Sequence, residues 1–180
     1  EEVVKELEAK GVEVIDSLEE LQKKEKGILI IRSHGVAKAV SDKMEEAGFT
    51  VVDATCPFVK RIHNIVQKES ALGKKIVIIG NPGHPEVEGI KGWCAGKAII
   101  IETTQEAEDF PASKDERICI VSQTTFNYNK FKDIVEIFEK RGYDINVVNT
   151  ICNATQERQT EAKEIAAQAD AMIVIGGTHG

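Results

Sequence analysis

The sequence has no apolar run long enough to cross a bilayer, which takes about 20 consecutive residues as a helix, and no secretory signal opens it as it stands. Cysteine is sparse and scattered, with four in 180 residues, at 56, 94, 119 and 152. Such intervals exclude a small disulfide scaffold, which depends on densely spaced bridges, and a reducing cytoplasm is the expected compartment. A surplus of positive charge is also lacking: 23 Lys and Arg against 30 Asp and Glu leave a net charge of −7. General nucleic-acid binders neutralise phosphates with clustered Lys and Arg, so that class is excluded. Small anions are not, because helix N-termini and a few histidines can hold them inside an acidic protein. There is no low-complexity stretch and no flexible linker. What remains is 42% hydrophobic and 29% charged, an ordinary globular composition. The length suits one large α/β domain or two to three small units sharing a core.

A repeat organises the chain. Val51-Val52-Asp53-Ala54-Thr55-Cys56 is matched by Val147-Val148-Asn149-Thr150-Ile151-Cys152, an offset of 96 residues. Val77-Ile78-Ile79-Gly80 is matched by Ile173-Val174-Ile175-Gly176 at the same separation. Each unit is therefore a strand, a cysteine, a helix, a second strand and a glycine, which suggests a site assembled between copies.

Periodicity and punctuation predict the elements. Residues 3–9 form the tail of a helix ended by Gly11, followed by a short strand over 12–15. The run Gly27-Ile28-Leu29-Ile30-Ile31 is of the type buried in parallel sheets. A helix is predicted over 35–47, closed by Gly48, and a strand over 50–53. Pro57 then starts a helix at its favoured first position, burying Phe58, Val59, Ile62, Ile65 and Val66. Strands follow over 75–79, 97–101, 117–121, 144–148 and 171–175, with helices over 129–141 and 154–168. This alternation implies an α/β fold with mostly parallel sheets and right-handed crossovers.

The polar and glycine-rich motifs fall at the C-terminal ends of strands: Arg32-Ser33-His34-Gly35, Thr55-Cys56-Pro57, Gly80-Asn81-Pro82-Gly83-His84-Pro85-Glu86, Ser122-Gln123-Thr124-Thr125 and Thr150-Ile151-Cys152. Ligands of open α/β sheets bind outside those ends, near free helix N–H groups. A thiol at a helix N-terminus is favoured as the thiolate that ligates metal, so Cys56 and Cys152 point to ligation or redox chemistry. Two thiolates alone are too few for a structural zinc site or ordinary iron–sulfur ligation. Cys119, inside an apolar strand, reads as core, and Cys94 has no partner at metal-ligand spacing. His34 is either a satisfied structural histidine or a site residue. His84 sits in a loop fixed by two prolines and two glycines. Glu86 either complements a helix dipole or serves as a proton donor. Glu88 reads as solvated or salt-bridged, and His63, beside Lys60 and Arg61, as surface. Residues 122–125 serve equally as turn caps or as substrate hydrogen-bonding groups. His179 stands too close to the end to interpret.

The ordered strings His34-Gly35-Val36, Asp53-Ala54-Thr55-Cys56-Pro57, Gly83-His84-Pro85-Glu86-Val87-Glu88-Gly89, Gln123-Thr124-Thr125 and Cys152-Asn153-Ala154-Thr155 with Arg158-Gln159 closely resemble the LytB/IspH family of hydroxymethylbutenyl diphosphate reductases. The resemblance covers essentially the whole chain. It implies three similar small α/β units in a pseudo-threefold arrangement around an iron–sulfur cluster, in agreement with the repeat. The units would be 1–55, truncated at its N-terminus, 56–150, and 151–180, the truncated start of the third.

The resemblance also implies an oxidoreductase of isoprenoid biosynthesis, catalysing the last step of the non-mevalonate pathway. Two-electron reduction removes the allylic hydroxyl of the diphosphate substrate and gives isopentenyl and dimethylallyl diphosphates. Cys56 and Cys152 would be two of three thiolates holding a 4Fe–4S cluster, the third cysteine lying outside this chain. His34 and His84 would bind the diphosphate, Glu86 would deliver protons, and Thr124 would hold substrate and proton path together. The implied electron donor is a protein such as ferredoxin or flavodoxin. A His-Asn motif is expected before Glu1, and a Ser-Ser-Asn loop is expected after the last strand, with Gly180 in the place of its first serine. This stretch alone is therefore expected to be cut at both ends and inactive. Competing readings are a non-enzymatic diphosphate- or nucleotide-binding α/β module, and thiol regulation through a Cys56–Cys152 disulfide.

Overall fold

A computed structural model describes residues 2–111, 113 and 115–175. In chain order the elements are α1 (Glu2–Ala9), α2 (Leu18–Leu21), β1 (Ile28–Ile31), α3 (Lys38–Glu46), β2 (Thr50–Asp53), α4 (Pro57–Ala71) and β3 (Lys75–Ile79), then α5 (Pro85–Lys91), β4 (Ala98–Ile101), α6 (Thr104–Glu108), β5 (Arg117–Ser122), α7 (Tyr128–Lys140), β6 (Asp144–Val147) and α8 (Asn153–Ala166). The fold is α/β, and every strand pairing is parallel. One sheet pairs β1 with β2; the other has the order β4-β3-β5-β6.

The larger sheet is covered on both faces, which explains the unbroken apolar runs of β3 and β5. Side chains alternate across a strand. Val77, Ile79, Ile118 and Ile120 therefore enter one core with Phe110, Ile134 and Phe138 of the α6 and α7 side. Ile76, Ile78, Cys119 and Val121 enter the other, with Ile62 and Val66 of α4 and Val87 and Ile90 of α5. Burying each such isoleucine contributes about 1.5–3 kcal/mol relative to exposure. The helix ends follow local chemistry. Thr103 and Glu106 close a reciprocal capping box at the start of α6, and Asn127 caps α7 by accepting from the Lys130 N–H.

The structure departs from the sequence expectations in several places. No strand forms over 12–15; Val12 and Val14 are exposed, and without a sheet edge beside it a short apolar alternation has nothing to pair with. The helix expected from Gly35 begins at Lys38, because the Gly35 N–H closes a turn onto the Arg32 carbonyl at 3.0 Å and Ala37 stays extended. Residues 171–175 form no strand: Ile173, Val174 and Ile175 are 84–92% exposed and no described strand lies beside them. Residues 176–180, including Gly176 and His179, lie outside the described residues. Phe58 is half exposed, while Val59, Ile62 and Val66 carry the buried face of α4.

Candidate functional site

The first half of the repeat, 51–56 with 147–152, survives at the level of hydrogen bonds, whereas its second half does not, since 173–175 forms no strand to match β3. After β2, Asp53 Oδ1 accepts from the Thr55 N–H at 2.9 Å; after β6, Asn149 Oδ1 accepts from the Ile151 N–H at 3.1 Å. Each cysteine then donates its own N–H to a carbonyl two residues beyond the neighbouring strand, Cys56 to Ser33 and Cys152 to Thr124, both at 2.9 Å. Cys56 (φ −53°, ψ 134°) and Cys152 (φ −63°, ψ 132°) are the N-cap residues of α4 and α8. Neither uses its side chain as a cap, and both are free, partly exposed thiols. The two positions therefore present a sulfur at the positive end of a helix dipole.

The loop after β3 is tied down strand by strand. The Gly80 N–H donates to the Ile101 carbonyl, the Asn81 N–H to Gln123 Oε1 at 3.1 Å, and the Gly83 N–H to Asn81 Oδ1 at 2.9 Å. A Cβ at Gly80 would lie 2.8 Å from Val87 Cγ2 and 3.0 Å from Gln123 Cβ, so the close approach requires glycine. His84 then caps α5: its Nδ1 accepts from the Glu86 N–H at 3.2 Å. With Nδ1 accepting from the helix, the ring N–H left to reach another partner is the one at Nε2.

Glu86 is buried. Both its oxygens are held by Thr124, Oε1 by the backbone N–H at 2.6 Å and Oε2 by the hydroxyl at 2.7 Å. Thr124 is itself 7% exposed. Its loop is braced by Thr150, whose hydroxyl accepts from the Ser122 N–H and donates to the Ser122 carbonyl. The His34 and His84 rings meet edge-on with centroids 5.5 Å apart. Burial, then the positive charge of Arg32 and the His84 ring, hold the His34 imidazole below its ordinary value against the pull of Glu86. Its Nδ1 is buried without a hydrogen-bond partner.

His34, His84, Glu86 and Thr124 thus form one run of direct contacts. Its two ends are tied by backbone bonds to the two cysteines, through Ser33 to Cys56 and through Thr124 itself to Cys152. Among the described residues, no group of three or more His, Cys, Asp or Glu is arranged to hold a metal ion. Cys119 is core, its thiol pushed up to about 11 by burial, and Cys94, also at about 11 through burial, donates weakly to the Ile90 carbonyl. Glu88 pairs with Lys91 at the surface.

His63 corrects the surface reading. It is 4% exposed, stacked on Trp93 with centroids 5.0 Å apart, and burial drives its imidazole down to about 4. The signal lay in the helical period: His63 stands four residues after Val59 and three before Val66, inside the buried stripe.

A family profile described as LytB protein matches residues 1–180. The chain is 47% identical over 179 residues to a 4-hydroxy-3-methylbut-2-enyl diphosphate reductase of Caldanaerobacter subterraneus, an alignment that covers 99% of this chain and 61% of the relative. It is 40% identical over 178 residues to the enzyme of that name in Clostridioides difficile, with 99% and 63% covered. The solved reductase of Plasmodium falciparum superposes with a TM-score of 0.90 at 27% identity, over 98% of this chain and 55% of that one. The chain thus spans about three fifths of the length of the curated relatives it matches. Together with the parallel α/β architecture, the match along the full sequence leads to one statement: this chain belongs to the LytB protein family.

Proposed function

We propose that this chain forms the diphosphate-binding and proton-delivering part of a 4-hydroxy-3-methylbut-2-enyl diphosphate reductase of isoprenoid biosynthesis, an enzyme working in the cytoplasm. The name borne by its relatives supports the reading, and the single observation that carries it is the Glu86–Thr124 clamp beside the paired imidazoles. His84, whose Nδ1 is taken by the Glu86 N–H so that Nε2–H is the donor left to it, and His34, whose ring meets it edge-on, bind the diphosphate oxygens. Glu86 is the acid. When protonated it donates from Oε2 to the Thr124 hydroxyl, which passes its own proton on to the departing oxygen. The allylic carbon–oxygen bond breaks, two electrons and two protons enter, and water leaves as isopentenyl or dimethylallyl diphosphate forms.

The electrons need a carrier. Cys56 and Cys152 fit a 4Fe–4S cluster by chemistry, since both are free thiols at positive helix ends. They would provide two of its thiolates, and a further cysteine from outside this chain would provide the third. When bound, the cluster supplies the electrons, drawn from a ferredoxin- or flavodoxin-type donor. Of the domain reading 1–55, 56–150 and 151–180, the first boundary is supported by the division of the strands, with β1 and β2 in one sheet and β3 to β6 in the other.

The test is anaerobic purification of the full-length protein followed by reduction assays with the allylic diphosphate and a chemical reductant. Visible iron–sulfur absorption and turnover are expected, with Glu86→Gln slowing turnover by roughly 10²–10⁴-fold. A colourless protein that binds diphosphate without turnover would instead be the non-enzymatic binding module.

A further inference from the structure

Among the described residues, two buried side-chain polar atoms have no hydrogen-bond partner, His34 Nδ1 and His63 Nε2. The residues that carry them meet at Gly35, which has φ +69°. A Cβ there would lie 2.8 Å from His63 Cε1, so the missing side chain is what admits the His63 ring. Thr55, the residue before Cys56, closes another side, its Cγ2 3.0 Å from the same point. A Cβ on Gly89 of α5 would stand 3.8 Å from His63 Nε2 and 3.6 Å from the His34 carbonyl oxygen. Behind the ring, Trp93 stacks on it and donates its indole N–H to the Val36 carbonyl at 2.9 Å. One imidazole therefore sits where the His34 turn, the approach to Cys56 and the helix bearing Glu86 come together. An apolar side chain would fill that place without leaving a buried nitrogen unpaired, which is costly.

We propose that His63 is a positioning residue: acting through Gly35, it sets His34 against His84 and so fixes the anion-binding geometry of the site. This rests on the reading that His34 and His84 bind the diphosphate. The role is geometric, because burial leaves the His63 ring neutral near pH 7 and it adds no charge.

The experiment uses the full-length protein and its His63→Ala variant. The His34 imidazole is titrated by NMR, and binding of inorganic diphosphate is measured by calorimetry, alone and in a His34→Ala background. As the turn loosens and water enters, His34 should titrate closer to its ordinary value in His63→Ala. Diphosphate affinity should fall about tenfold, with no further loss when His34 is already absent. Trp93→Phe keeps the stack but drops the indole N–H; it should move both readouts the same way by less, and it decides the matter if His63→Ala does not fold. An unchanged His34 titration in both variants, or affinity losses that simply add, would overturn the proposal. Failure of the unmodified protein to bind diphosphate would sink the functional reading instead, while the titration still decides the role of His63.

Discussion

Glu86 and Thr124, 38 residues apart in sequence, share two hydrogen bonds of 2.6 and 2.7 Å in a place closed to solvent. One bond is to the backbone and survives any substitution at 124; the other is to the hydroxyl. Thr124→Val therefore leaves Oε2 buried and unsatisfied, and stability is expected to fall by about 1–3 kcal/mol. Thr124→Ser restores the donor and most of that loss. Denaturant titrations of the three proteins check this; equal midpoints for Val and Ser would show that the hydroxyl contributes nothing.

The two cysteines sit where serine would be a better cap. Neither thiol hydrogen-bonds to its helix, whereas a serine hydroxyl satisfies an N-terminal N–H. Cys56→Ser and Cys152→Ser are expected to stabilise the metal-free protein by about 0.5–1 kcal/mol. The same substitutions should abolish iron–sulfur absorption and turnover in the full-length enzyme. Thermal melts of metal-free protein and visible spectra of the reconstituted enzyme read the two effects separately.

Acid should weaken the fold through His63. Its folded value of about 4 lies below the ordinary 6.5. Between those limits the unfolded chain holds the extra proton, so stability rises with pH across that window and is lost on acidification. The full difference is on the order of 3 kcal/mol, and the lowered imidazole of His34 adds in the same direction. Unfolding free energies measured from pH 7 down to pH 4 should show the decline, and His63→Gln should flatten it.

Two glycines of the same segment should respond to alanine with opposite signs. At Gly89, within α5, a Cβ meets its neighbours at ordinary distances of 3.6–3.8 Å, and a helical alanine gains about 0.5–1 kcal/mol over glycine. At Gly92 a Cβ would lie 2.2 Å from Ala37 Cβ and 2.8 Å from Ala37 Cα. That collision involves backbone and is expected to cost about 1–3 kcal/mol. Paired thermal melts give both signs in one experiment.

Where sequence reasoning succeeded, the cause was local. Pro57 opens α4 and Gly48 follows α3 because each residue restricts or frees its own backbone. The repeat at Asp53 and Asn149 recurs as a hydrogen bond because each side chain offers an Oδ1 that accepts from the N–H two residues on. The runs of β3 and β5 were legible because a strand buried on both faces has no polar alternation to hide it. Other features depend on distant partners. Residues 12–15 and 171–175 have strand composition without a paired edge. Gly35 closes a turn onto the Arg32 carbonyl at φ +69° instead of opening a helix, and the His63 ring stands where its side chain would be. Trp93 meets Val36 across 57 residues, and no sequence pattern announces that bond. Lys60 and Arg61 give His63 charged neighbours in sequence, while the helical period turns it inward with Val59 and Val66.

The two-stranded sheet has a consequence for handling. Ile28 and Ile30 stand 73% and 62% exposed, with Val52 at 47%, and no described strand pairs with the outer edge of β1 or β2. A greasy ledge bounded by unpaired amide groups is adhesive toward any similar ledge. Concentrated solutions of this stretch should therefore scatter light and lose material to precipitation before the well-covered larger sheet melts.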